Sequence, residues 1–448
     1  MTDLTPYASQ VAALLEAKKP DAFEVMLTRS RDLSVEARNG QVDAFRCAEP
    51  LGVAVRVKIG PGLGFSFSTS LEKTALERMV EGAVVAATMQ TPDPSCVLPA
   101  PAPGGYPVLP GLYDPAFAAT PDEDKVERAL ELERRVLAQD SRVKRVRKCS
   151  YSESVYQVLI QNSLGIAAQY QGSQLSLSAS AVAEADGGAQ MGWDYGFSHR
   201  FDGVDPELVA AGAAGKAVAL LGARSLATMR CPVVLDRHVA AQLLDVLSGS
   251  FLGENVHKGK SGLAGRTGER IFSGIVSVRD NGLLENGPGS APCDGEGVPQ
   301  QDTPLVTSGV LQGFLYDSYW GSRLGATSTG NSVRGGVKGP PRLAVHNLHL
   351  ENGTSTPEEL RAGIGRGVLI TEVLGMHTAN AISGDFSVGA AGYYLEGGEP
   401  VHPVKGIAIA GNLFELFNNV ELVGNDLRFF GTVGSPSLRI GELDVSGS

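Results

Sequence analysis

Ahead of residue 226 the apolar residues recur at helical spacing in four stretches and alternate with polar ones between them. Residues 8–18 read as an amphipathic helix. Phe23–Arg29, Leu33–Arg38 and Leu51–Ile59 alternate as strands. Asn39-Gly40, between Val35–Arg38 and Gln41–Arg46, is a strong hairpin signal because a tight two-residue turn needs positive φ at both central positions. Ser70–Thr88 returns to helix, with Ser70 as the expected N-cap and Leu71, Ala75, Leu76, Met79 and Val80 on one face. Asp122–Leu137 is a charged amphipathic helix, followed by strands at Val143–Cys149, Ser154–Asn162 and Ile166–Glu184, with a turn at Asn162-Ser163-Leu164-Gly165. Pro206–Leu221 is an alanine-rich helix suited to close packing on a sheet.

Beyond residue 226 the pattern changes. This half holds 37 of the 56 glycines and reads as short strands separated by glycine turns. A strand at Cys231–Leu235 leads into a helix at 237–252, and a second helix is expected at Pro357–Ile364. Further strands are expected at Arg270–Val278, Leu311–Tyr319, Arg342–Leu350, Gly367–Val373, Phe386–Leu395 and Ile407–Ala410, forming an antiparallel, partly barrel-like sheet.

Nine of the 25 prolines fall between Pro92 and Pro121, and proline neither frees φ nor donates to a ladder, so an extended connector is expected there. The expected division is an N-terminal α+β domain (1–91), the connector (92–121), a middle α+β domain (122–225) and a β-rich C-terminal domain (226–448). The fold class is α+β, with mixed sheets in the N-terminal domains and a mostly antiparallel C-terminal domain.

A length of 448 residues suits two or three domains, and 43% hydrophobic with 19% charged residues suits a soluble globular protein. The net charge of −11 argues against a nucleic-acid partner, because most of the surface would repel phosphates. The basic run Arg142-Val-Lys-Arg-Val-Arg-Lys148 has the alternation of a strand with one charged face. No run of about 18 apolar residues predicts a membrane span, and the first residues carry no secretory pattern, so a cytoplasmic location is expected. Cys47, Cys96, Cys149, Cys231 and Cys293 are odd in number and widely spaced, which suits reduced thiols.

The stretch Asp236-Arg-His-Val-Ala-Ala-Gln-Leu-Leu-Asp-Val-Leu-Ser-Gly-Ser-Phe-Leu-Gly-Glu254 carries the most chemical information. Its frame resembles the zinc-binding helix of the TldD/PmbA metallopeptidases. Where the catalytic members of that family write His-Glu-x-x-x-His, this chain has Asp245, Val246 and Ser250. A zinc peptidase needs imidazole ligands and a carboxylate base for the bound water; none of these three residues is a histidine, and Val246 cannot act as the base. Positions 245 and 250 also lie about 140° apart on an ideal helix, so two ligands there meet one metal only where the helix is broken or widened, and Ser248-Gly249-Ser250 is the weak point.

The resemblance continues through Val35-Glu-Ala-Arg-Asn-Gly40, Leu51-Gly-Val-Ala-Val-Arg56, Gly64-Phe65, Asp294-Gly-Glu-Gly297, Leu324-Gly325 and Thr329-Gly-Asn331. It runs on through Gly367–Gly375, Ser383–Tyr393, Val404-Lys-Gly, Gly411-Asn and Val423-Gly-Asn-Asp426. The family's TldD branch adds a cysteine ligand after the last motif; here Leu427–Ser435 contains none, so the chain sides with the PmbA (TldE) branch.

That resemblance implies a metal-free, non-catalytic subunit of a TldD–TldE type zinc metallopeptidase, acting on unfolded peptides. Zinc is expected in a TldD-like partner and no cofactor in this chain; the family also carries the description modulator of DNA gyrase. The alternative is a self-associating peptide-binding homodimer with no catalytic partner. His377, Thr378, Asn380 and Asp385 are candidates to contact a peptide, and a polar turn before a strand accounts for them equally well. His346 and His349 point to opposite faces of a strand and do not suggest a metal pair. Gly253–Ser261 has one residue too many for a phosphate loop and follows a helix instead of a strand. No Gly-x-Ser-x-Gly elbow occurs.

Overall fold

The computed structural model describes residues 3–185 and 187–447. In chain order the first part comprises α1 (Thr5–Glu16), β1 (Ala22–Arg38), β2 (Gln41–Ala48), β3 (Leu51–Ile59), β4 (Gly62–Ser68) and α2 (Lys73–Met89). After the proline-rich connector come α3 (Ala116–Ala119), α4 (Asp122–Ala138), β5 (Val143–Asn162), β6 (Ala167–Ala185), β7 (Gly188–Ser198) and α5 (Pro206–Ala219). Strands from both sides of the connector form one seven-stranded sheet in the order β4-β3-β1-β5-β6-β7, with β2 also paired to β1.

Every pairing in this sheet is antiparallel, which corrects the expectation of mixed pairing. The neighbours β1 and β2, β3 and β4, and β5 and β6 are joined by turns of only a few residues, and a parallel neighbour would need a crossover of a dozen or more. Two pairs of expected strands each prove continuous. Ser30, Arg31 and Asp32 are polar, yet they stay in β1 because they pair with Tyr156, Val155 and Ser154 of β5. Ser154 Oγ donates to Asp32 Oδ1 at 2.6 Å, so the polar middle of the ladder is satisfied by its own side chains.

Alternation assigns the two faces of this sheet. Val25, Leu27, Val53, Val55 and Val57 are buried with α1 and α2, while Leu33, Val35, Leu175 and Leu177 are buried in the core beneath α4 and α5. Glu24, Met26 and Arg56 occupy the alternate positions and so face the other way. α2 starts at Lys73 with Glu72 at its N-cap, not at Ser70. Ser68 and Ser70 instead accept from the backbone N–H groups of Ser70 and Glu72, and these turns consume the expected first helical residues.

The C-terminal part contains β8 (Met229–Leu235), α6 (Arg237–Ser248), α7 (Gly253–His257), β9 (Val278–Asn281), β10 (Asp302–Thr307), β11 (Val310–Leu311) and α8 (Ser318–Leu324). It continues with β12 (Ser332–Val333), β13 (Arg342–Leu343), β14 (Leu348–Leu350), α9 (Pro357–Arg361), β15 (Arg366–Leu374), β16 (Asp385–Glu396) and β17 (Glu399–Asn412). α10 (Leu413–Asn418), β18 (Val420–Val423), β19 (Arg428–Phe430), β20 (Val433–Ser435) and β21 (Leu438–Ser446) complete the chain.

One six-stranded sheet runs β17-β16-β15-β8-β21-β18, and a further β17–β21 pairing closes its first five strands into a ring. A second runs β11-β10-β9-β14-β20-β19, and β12 pairs with β13. Within these sheets only β15–β8 and β14–β20 are parallel. Residues 270–278 form no strand before Val278; Arg270 makes one bridge to Val310, and a turn closed by Val276 N–H on Ser273 O follows. Leu311–Tyr319 likewise leaves the sheet after Leu311, because Asp317 caps α8 by accepting from Trp320 N–H at 2.8 Å. Among the described residues no helix is long and apolar enough to cross a membrane.

Candidate functional site

β8 pairs with β15 and β21 and delivers Asp236 to the start of α6. The Asp236 carboxylate accepts from His238 N–H at 2.8 Å, satisfying one of the donors that a helix start leaves open. Val239, Ala240, Leu243, Leu244 and Leu247 are buried in the main C-terminal core, which fixes the helix's rotation. Asp245 consequently stands on the exposed side, and Val246 is half-buried against the core. Neighbouring protein still removes part of the water around the Asp245 carboxyl and raises its pKa above the ordinary value.

At Gly249 the α-helix tightens into a single 3-10 turn, Gly249–Phe251. This is the Ser248-Gly249-Ser250 weak point, and the backbone there narrows instead of widening. Ser250 is buried; its Oγ donates to Ala381 O at 3.2 Å, and its carbonyl accepts from Ser261 Oγ at 2.7 Å. Asn255 Nδ2 donates to Gly249 O at 2.8 Å and holds the same turn. The donor set at the three motif positions is therefore one exposed carboxylate, an alkyl group and a hydroxyl already spent on a carbonyl. It does not fit zinc, whose sites combine three or four ligands that include imidazole nitrogen or thiolate sulfur, whereas a single carboxylate stands here. Among the described residues no three His, Cys, Asp or Glu side chains gather where a metal ion could be held.

The loop after β15 lies beside this turn. His377 and Thr378 sit exposed in a short 3-10 turn, and Thr378 Oγ1 donates to Gly375 O at 2.8 Å. Asn380 Oδ1 accepts from Ile382 N–H and Ser383 N–H at 2.9 and 3.1 Å. Asp385 accepts from Ser383 Oγ at 2.7 Å and Asn412 Nδ2 at 2.9 Å, and these bonds, Asn412's first, hold its carboxyl below the usual range. The structure thus brings Ser250 and the 377–385 loop together through the Ala381 carbonyl. Asn380 and Asp385 spend their side chains shaping that loop, while His377 has none of these structural bonds and is exposed.

The cysteine-free segment 427–435 also reaches this helix, since α6 packs against β19 and β20. The Phe430 ring lies 4.5 Å from His238, and Arg428 pairs with Asp194. His346 and His349 are both buried and bonded to backbone carbonyls, His346 Nε2 lying 2.8 Å from Gly330 O and His349 Nδ1 2.9 Å from Asn347 O.

Sequence reasoning missed one cluster. On the sheet face away from the helices, Arg56 Nε donates to Glu24 Oε1 at 3.0 Å and Arg56 Nη1 to Glu296 Oε1 at 2.6 Å, while Arg334 also pairs with Glu24. All four side chains are buried. The available signal was a charge inside each apolar strand, Glu24 within Phe23–Leu27 and Arg56 within Val53–Val57. Glu296 lies in the Asp294-Gly-Glu-Gly297 segment, so that segment anchors the C-terminal part to the first sheet.

These features define an α+β protein in which a C-terminal ring of strands carries α6, with an aspartate, a valine and a serine at positions 245, 246 and 250. Family models for the PmbA/TldA metallopeptidases match it in three consecutive pieces: domain 1 at residues 23–87, the central domain at 115–221 and the C-terminal domain at 228–447. The chain belongs to the PmbA/TldD metallopeptidase family. It is 29% identical to the metalloprotease PmbA of Escherichia coli, over 98% of this chain and 95% of that protein. The PmbA homologue of Haemophilus influenzae is also 29% identical, with 98% and 96% covered. A Thermotoga maritima structure described as a candidate modulator of a DNA gyrase superposes with a TM-score of 0.90 at 28% identity, covering 99% of this chain and all of that one. TldE from Thermococcus kodakarensis shares the fold, with a TM-score of 0.90 at 23% identity over 98% of this chain and 100% of that chain.

Proposed function

We propose that this chain is a metal-free, non-catalytic subunit of a TldD–TldE type zinc metallopeptidase, working in the cytoplasm on unfolded peptides. The observation that carries this reading is the state of the degenerate motif. Val246 offers no donor, and Ser250 is buried with its hydroxyl bonded to Ala381 O, so α6 acts as a wall. A TldD-like chain supplies the zinc and the general base, and this chain shapes the space in which an extended peptide is held. The full-length match to PmbA, together with relatives in the TldD branch, supports an assembly of that type.

The test mixes the purified chain with the TldD-like chain of the same organism. Complex mass, zinc content and chelator-sensitive cleavage of an unstructured peptide are measured. The expected result is a mixed complex with zinc and activity assigned to the partner. Stoichiometric zinc and proteolysis in this chain alone, surviving removal of contaminants, would overturn the proposal. A stable homodimer that binds peptide and ignores the TldD-like chain would favour the self-associating alternative.

A further inference from the structure

A cavity of about 270 Å³ lies where the middle and C-terminal parts meet, between β7 and α5 on one side and β15 with the start of α6 on the other. Pockets for whole small ligands run from about 300 Å³ upward, so this one suits a single long side chain. Trp193, Ala219 and Leu220 give it an apolar wall. Trp193 is 39% exposed, and Tyr195 stacks on its ring at 5.3 Å, which fixes the ring's orientation.

Opposite that wall, β15 is irregular. Ile370 pairs with Gly392 and Glu372 with Ala391, so Thr371 is an extra, unmatched residue. Consecutive strand residues ordinarily face opposite ways, yet Thr371 and Glu372 both line the cavity. The bulge re-aims them, as bulges beside functional sites do. Glu372 is exposed, and its carboxylate has no hydrogen-bond or ion-pair partner among the described residues. Surrounding protein raises its pKa; Lys216 opposes that shift, but its ammonium pairs instead with Asp194 at 3.4 Å.

Charge and shape together select the ligand. Of the groups that line the cavity, Asp236 and Glu372 are negative and Lys216 is positive. Behind them Asp194 takes Lys216 and Arg428 together, which leaves the balance at one negative charge. Burial, and then Lys216, lowers the pKa of His238, so its imidazole adds no positive charge at pH 7. An anion would enlarge the negative excess, whereas a cation removes it. An aromatic face attracts an ammonium or guanidinium laid over it, and an apolar wall suits the methylene stem that carries such a head.

We propose that this cavity is a subsite for a lysine or arginine side chain of a bound peptide, with Trp193 against the stem and Glu372 as the ion-pair partner of the head. The inference rests on the peptide-handling part of the function proposed above and adds a side-chain preference to it.

The experiment titrates the intact chain into labelled, unstructured peptides of one sequence, blocked at both ends, with lysine, norleucine or glutamate at one position. Fluorescence polarisation gives each affinity. The lysine peptide is expected to bind about tenfold more tightly than the norleucine peptide. Glu372→Gln keeps the side chain's shape and is expected to abolish that ratio. Gly215→Leu is expected to do the same by filling the cavity, since Gly215 lines it and a Cβ there meets no atom within 4 Å. Equal affinity for the lysine and norleucine peptides in the unaltered chain overturns the subsite. So does a tenfold ratio retained in Glu372→Gln, a preference for the glutamate peptide, or absence of peptide binding. Complex mass and chelator-sensitive proteolysis with the TldD-like chain are read separately, so a failure of the subsite is told apart from a failure of the proposed assembly.

Discussion

Ser250 Oγ donates to the carbonyl oxygen of Ala381 at 3.2 Å, tying the 3-10 turn after α6 to the loop that follows β15. That bond occupies the hydroxyl at position 250, and its surroundings are closed, Ser250 being buried. Ser250→His is expected to destabilise the chain by about 1–3 kcal/mol through overpacking, and Ser250→Ala by about 1 kcal/mol. Denaturant unfolding of both variants checks the order. The triple substitution Asp245→His, Val246→Glu and Ser250→His is expected to bind no stoichiometric zinc in metal analysis of the isolated chain, because the 427–435 segment adds no cysteine ligand.

Arg56 holds Glu24 of the first sheet and Glu296 of the C-terminal part at once. Arg56→Met leaves two buried carboxylates with reduced compensation, and a loss of about 3–5 kcal/mol is expected. The midpoint of urea unfolding measures it. A midpoint unchanged from the parent would mean that the cluster adds nothing across this contact.

Burial, with Glu296 beside it, pushes the Asp294 carboxyl up to about 8, against the opposing effect of backbone N–H groups from Glu296, Ser332 and Val298. The folded chain therefore keeps this proton at pH values where the unfolded chain has released it. Its contribution to stability is full below the unfolded pKa of about 3.9 and is lost as pH rises through the folded value. Asp294→Asn is expected to flatten the fall in stability between about pH 5 and pH 8. Unfolding curves across that range provide the measurement, and an equal slope in the variant would count against the assignment.

Gly64 sits where α2 crosses β4. A Cβ at this position would lie 2.0 Å from Ala83 O, and backbone cannot step aside as a side chain can. Gly64→Ala is expected to cost about 1–3 kcal/mol by forcing the helix off the sheet. Melting temperature, compared with that of Gly40→Ala at the exposed hairpin turn, separates close packing from turn strain, since Gly40 has positive φ and no atom within 4 Å of its added Cβ.

The elements easiest to read in the sequence were those stabilised locally. Asn39-Gly40 turns where expected, with φ of 58° and 71°. α4 and α5 follow their apolar periodicity, and β15 and β16 follow their alternation. β4, β7 and β21 were missed because glycine and serine interrupt their apolar patterns, and their partners come from elsewhere in the sheets. At the candidate site, the side-chain types at 245, 246 and 250 were legible from the residues alone. The role of Ser250 was not, because Ala381 is distant in sequence and offers only a backbone carbonyl.

The sequence alone determined that positions 245, 246 and 250 carry no imidazole and that 246 carries no carboxylate, since no packing can make valine a base or aspartate an imidazole. It also determined where most helices and hairpins lie, through periodicity and turn stereochemistry. Only the tertiary structure decided that residues on both sides of the connector share one antiparallel sheet, that five C-terminal strands close into a ring, and that Glu24, Arg56, Glu296 and Arg334 meet. Those outcomes depend on pairings between distant segments, whose energies come from burial and charge compensation that exist only once the chain has folded.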